Sequence, residues 1–98
     1  MSTSKAVLSD PKETIAQINQ ILISSGIQPH SIDHAQDISW ICVTPGGEEL
    51  VSVDADFGIK IRFDRGALLW TEIKINYSEI PQIGKIFKQL NKLAGLIK

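Results

Sequence analysis

From Asp37 to Tyr77 apolar and polar residues alternate, and three turn signals interrupt the alternation: Thr44-Pro45-Gly46-Gly47, Asp54-Ala55-Asp56 and Asp64-Arg65-Gly66. A period of two marks strands with one buried face, and clusters of Gly, Pro and Asp between such runs mark turns. Three successive hairpins, and so a four-stranded antiparallel meander, are the simplest reading. Turn length then sets the register. A two-residue loop at Pro45-Gly46 and three-residue loops at 54–56 and 64–66, with Gly66 in the left-handed bulge position, align two apolar rows. These are Trp40, Val51, Ile59 and Thr71, then Ile38, Val53, Phe57 and Ile73, with Ile61, Phe63, Leu69 and Ile75 also assigned to the core. Glu49 is the misfit on this face and is expected at the sheet margin.

A helix is predicted on each side of the meander. Asp10, Pro11 and Glu13 supply a side-chain cap, a ring pre-set for the first turn and a carboxylate able to reach back. Ile15, Ile18, Ile21, Leu22 and Ser25 then share one side, and Gly26 offers the left-handed residue that ends a helix over 11–25. Residues 27–36, with Pro29, His30, Asp33 and His34, read as a loop with at most one short turn of helix. The last helix is expected to start at Ser78 as cap, with Glu79 and Pro81 in its first turn, Ile80, Ile83, Phe87, Leu90 and Leu93 or Ala94 inward, and Lys85, Lys88 and Lys92 outward. Gly84 weakens a helix by about 1 kcal/mol relative to Ala, which suggests a close approach to the sheet. The predicted fold is α+β, in the order α-β-β-β-β-α, with both helices on one face in two layers.

A chain of 98 residues with 43% hydrophobic content makes one domain, expected over 9–98 after a flexible segment at 1–8. Its net charge of −1 is a cancellation. Residues 1–56 carry Lys5 and Lys12 against eight carboxylates, giving −6, and residues 57–98 carry eight Lys or Arg against Asp64, Glu72 and Glu79, giving +5. Such asymmetry points toward a charged partner. A lone cysteine, Cys42, within an apolar run excludes an intrachain disulfide, reads as buried and inert, and suits a reducing compartment. With neither a signal-peptide core nor an apolar span of ~20 residues, a cytoplasmic protein without membrane partners is expected.

His30 and His34 stand at i,i+4, a spacing that on a helix presents two imidazoles to one metal, with Asp33 or Asp37 as a third ligand. The surrounding sequence reads as loop, so solvated side chains are the expectation and no metal or cofactor is assigned. Asp54 and Asp56 suit an Asx-type turn. No phosphate-binding or nucleophile-elbow motif occurs, and one sheet with two helices leaves little volume for a catalytic pocket. The chain therefore reads as non-enzymatic.

The sheet face away from the helices is more informative. In the register above its rows are Ile41, Leu50, Lys60 and Trp70, then Val43, Glu48, Arg62 and Leu68, with Glu48 opposite Arg62. This is more apolar than a face meant only for water, although Trp70 lying under the stems of Lys60 and Arg62 is a purely structural account. The leading reading is a small non-catalytic binding or regulatory protein that self-associates as a homodimer, or binds a protein partner, through Ile41, Leu50, Lys60, Arg62, Leu68 and Trp70. The alternative is a single-stranded nucleic-acid binder using Lys60, Arg62, Trp70 and Lys74, opposed by a pI near 6.1. Four antiparallel strands followed by a helix is an order similar to that of the Whirly and Pur-alpha single-strand binders, without a sequence motif of either. A metal-dependent enzyme at His30 and His34 ranks third.

Overall fold

The computed structural model describes residues 10–66 and 69–97. Helix α1 spans Pro11–Ser24, followed by strands β1 (Ser31–His34), β2 (Ile38–Cys42), β3 (Glu49–Asp54), β4 (Gly58–Asp64) and β5 (Trp70–Ile75). A 3₁₀ helix at Tyr77–Gln82 leads into helix α2, Ile83–Ile97. The strands form one antiparallel sheet in the order β1-β2-β3-β4-β5. The fold is α+β, as the sequence predicts, with five strands where four are expected. The segment at 1–8 and Leu68 lie outside the described residues.

The ends of α1 follow from its sequence. Asp10 Oδ1 accepts hydrogen bonds from the backbone N–H groups of Lys12 and Glu13 at 3.1 and 3.4 Å, satisfying donors that have no partner within the helix. Gly26 takes φ +85°, and the Ile27 N–H returns to the Leu22 carbonyl at 2.9 Å, closing the C-terminus. The start of the last helical segment differs from expectation. The Asn76 N–H donates to Glu79 Oε1 at 2.7 Å, and a 3₁₀ turn containing Pro81 precedes the α-helix. Ser78 therefore lies inside that turn and is not the cap.

The extra strand, β1, has one large apolar residue, Ile32, and burial cannot drive its formation. Backbone pairing builds it. Ser31 to His34 align with Cys42 to Ser39, and bonds from His30 N–H to the Cys42 carbonyl and from Ala35 N–H to the Ile38 carbonyl, both 2.8 Å, close its ends. Short and carrying Asp33, it is the kind of edge that resists pairing with another chain.

The core lies between the helices and one sheet face. Ile15, Ile18 and Leu22 of α1 meet Ile80, Ile83 and Phe87, and beneath them lie Ile41, Val51, Val53, Ile59, Ile61, Phe63 and Ile75. The inward rows are Ile41, Val51, Ile61 and Ile73, then Ser39, Val53, Ile59 and Ile75. Strands β3 to β5 present the expected faces inward, but β2 is turned over: Ile41 is 0% exposed, whereas Ile38, Trp40 and Cys42 lie half-buried on the opposite face. Phe57 also leaves the core, at 64% exposed in the β3–β4 turn.

The cause is the first turn. Thr44 to Glu48 form a longer connection than Pro45-Gly46 alone, with Gly47 at φ +78° and the Val43 N–H bonded to the Glu49 carbonyl at 2.8 Å. Ile41 consequently faces Val51 instead of Trp40 facing it, a slip of one residue that exchanges the faces of β2. Val53 pairs with Ile59 rather than Phe57, and Ile59 with Ile75 rather than Thr71. Those slips are of two and four residues, and even slips preserve the inward face.

Gly84 permits a close approach, to α1 and not to the sheet. A Cβ built on it would collide with Ser25, reaching that residue's Cβ at 2.5 Å. The missing side chain is what lets the start of α2 cross the end of α1.

Candidate interaction face

The outward face of the sheet is assembled from alternate residues of all five strands. Its central rows are Asp33, Trp40, Ser52, Lys60 and Lys74, then Ser31, Cys42, Leu50, Arg62 and Glu72. None of these side chains is buried, and both helices pack on the other side. Trp40, Leu50 and Cys42 form a half-buried apolar strip over β2 and β3. Lys60, Arg62 and Lys74 cluster over β4 and β5, with Glu72 between the cations. Asp33 marks the opposite edge.

Of the residues singled out in the sequence, Leu50, Lys60, Arg62, Trp70 and Lys74 all lie on this face. Ile41 does not: it is a core residue, unavailable to a partner of the folded chain. Trp40 takes its place, and the local pattern conceals this because Ile38-Trp40-Cys42 and Ser39-Ile41-Val43 are both apolar enough to face inward. Trp70 is 54% exposed but pairs with Asp64, four residues along β5 from Lys74, so it does not share a row with Lys60. Arg62 stands across from Leu50 and Glu72, not from Glu48. Cys42 is half-buried on this outward face and not inside the core.

The electrostatics of the face are unbalanced within one row. Lys60 and Lys74 are direct cross-strand partners, an arrangement of like charges that destabilises a sheet slightly. Among the described residues the one ion pair is Arg65 with Glu49, on the inward side, so neither lysine has a carboxylate partner of its own.

Other polar groups are occupied by local structure. The shallow depression between the β2–β3 and β4–β5 turns holds Glu48, Asp64 and Arg65. Glu48 Oε1 accepts from the Thr44 hydroxyl at 2.8 Å, Asp64 Oδ1 accepts from the Gly66 N–H at 3.1 Å, and Arg65 donates to Glu49 and Asn91. The Thr44 hydrogen bond, chiefly, holds the Glu48 carboxyl below the usual range. His34 lies in β1 with Nδ1 2.7 Å from Ser39 Oγ, and His30 precedes that strand, so the two imidazoles are not on a helix. Among the described residues no three His, Cys, Asp or Glu side chains gather as a metal donor set, and no helix is long and apolar enough to cross a membrane. Compared with protein families, curated proteins and solved structures, the chain finds no match in any of the three.

Proposed function

We propose that this chain is a small non-catalytic binding or regulatory module that associates with itself through the outward sheet face. The observation that carries the reading is that face: a half-buried strip of Trp40, Cys42 and Leu50 bordered by Lys60, Arg62 and Lys74, on the side of the sheet away from both helices. Aromatic, aliphatic and Arg side chains side by side are the usual anchors of protein interfaces, and burial of the indole removes a large apolar surface from water. A single-stranded nucleic-acid platform draws on the same cations. It is less well served, because Glu72 interrupts the basic cluster and Trp70 is displaced toward Asp64.

Sedimentation equilibrium across a wide concentration range tests the proposal. The parent is expected to dimerise and Trp40→Glu to remain a monomer with an unchanged far-UV spectrum. Titration with mixed-sequence oligonucleotides at low salt separates the alternative, which requires binding that weakens steeply as salt is added. A parent that stays monomeric and binds single strands in that way replaces the self-association reading.

A further inference from the structure

The geometry points to a two-fold dimer whose axis runs along the central strand β3, so that the Asp33 edge of one copy lies over the Lys74 edge of the other. This rests on the reading of the outward face as a self-association surface and specifies how the two copies meet. In a closed two-fold interface residue i meets j, and j meets i. For two identical sheets packed face to face, the axis lies between them and runs either along the strands or across them.

With the axis along β3, strand β1 covers the partner's β5 and β2 covers the partner's β4. The row Asp33, Trp40, Ser52, Lys60, Lys74 then meets its own reverse. Asp33 opposes the partner's Lys74, Trp40 opposes the partner's Lys60, and Ser52 meets itself. The second row places Leu50 on Leu50 at the axis. The Asp33–Lys74 and Trp40–Lys60 contacts each occur twice, and the self-contacts at the axis once. Every charge in the first row gains a complement: a carboxylate for Lys74 and an indole face for Lys60, on which an ammonium is attracted by the ring quadrupole. The Lys60–Lys74 opposition within each copy is relieved by the same pairing. The same axis sets Asp54, at the end of β3, over the partner's Asp54, a like-charge contact at the margin where each Oδ1 is already engaged by the N–H groups of Asp56 and Phe57 at 2.8 and 3.2 Å.

An axis across the strands is worse matched. It lays β4 on β4 and β5 on β5, which sets Lys60 over the partner's Arg62, offset only by Lys74 over the partner's Glu72, and leaves Asp33 over Ser31. Both axes keep the strands of the two sheets within about 30° of alignment, the usual packing of sheets about 10 Å apart, so charge matching decides between them. Five strands at ~4.8 Å and about six residues at ~3.3 Å give a face of roughly 480 Å² in projection. That is below the ~800 Å² per partner of a standard stable interface, so the dimer should be weak and form reversibly with concentration.

A charge-swap pair tests the arrangement on the full chain. Asp33→Lys alone sets lysine against the partner's Lys74 twice, and Lys74→Asp alone sets aspartate against the partner's Asp33 twice. Each should weaken self-association on the order of tenfold, from two contacts turned from attraction to repulsion. An equimolar mixture of the two variants should recover an affinity within about threefold of the parent, because the mixed dimer restores both pairs. Circular dichroism checks that each variant is folded. If Trp40→Glu dissociates the parent dimer but the swaps have no effect, or the mixture does not recover, the strand-parallel pairing is wrong and the interaction face stands. A monomeric parent, or a dimer indifferent to Trp40→Glu, removes both.

Discussion

Glu49 lies on the inward side of β3 at 3% exposed, where a lone carboxylate would be costly. Arg65, from the β4–β5 turn, pairs with it and also donates to Asn91 Oδ1 of α2 at 3.1 Å, while its guanidinium sits 5.5 Å from the Phe63 ring centre. Asn91 Nδ2 donates in turn to the Phe87 carbonyl at 3.1 Å. The ion pair lies within the sheet, and the Arg65–Asn91 hydrogen bond ties it to the last helix. Arg65→Ala leaves the carboxylate short of a partner and should lower stability by about 1–3 kcal/mol, read from urea denaturation. Adding Glu49→Leu to that variant should recover much of the loss, since a hydrophobe needs no partner there. At Glu48 the expected effect is on titration. Its folded carboxyl titrates below the unfolded one, so its small stabilising contribution is complete above the unfolded value and is lost as pH falls through the folded one. Thr44→Val should return the Glu48 titration, followed by carbonyl NMR shifts, toward the ordinary glutamate range.

Strand β2 is the element whose orientation decides the outward face. Ile41, packed in the core, should lose about 2–5 kcal/mol on truncation to Ala. Trp40→Ala should lose much less in a monomer, because its indole borders water; a larger loss at Trp40 than at Ile41 in thermal melts would reverse the assignment of faces. The helix crossing offers a second test. Replacing a helical glycine by alanine ordinarily gains about 1 kcal/mol, but Gly84→Ala should instead lose roughly 1–3 kcal/mol through collision with Ser25. Ser25→Gly in the same chain should recover most of that loss, a coupling measurable as a double-mutant cycle.

For the whole molecule, one outward row of the sheet runs from the carboxylate of Asp33 on β1 to the ammonium groups of Lys60 and Lys74 on β4 and β5. A surface of this kind is self-complementary when rotated by half a turn. If folding is linked to association, the melting temperature of the parent should rise with protein concentration, whereas that of Trp40→Glu should not. Added salt should reduce the concentration dependence partially, because charge pairs at the rim are screened while the Trp40 and Leu50 contacts are not.

The sequence by itself determined the class of fold, α1 with both its caps, the turn glycine at Gly66 with φ +110°, and the inward faces of β3, β4 and β5. These are legible because each depends on local chemistry or on a period of two that even slips leave intact. Strand β1 was not legible, since its backbone bonds to β2 exist only once β2 is in place and its side chains carry no burial pattern. The side that β2 turns inward was ambiguous for a different reason: Trp40 and Ile41 are both large and apolar, and one additional residue in the Thr44–Glu48 turn reverses them. Tertiary structure made that choice by closing the turn at Val43 and Glu49 and setting Ile41 against Val51. The indole was thereby left on the face where the proposed partner meets it.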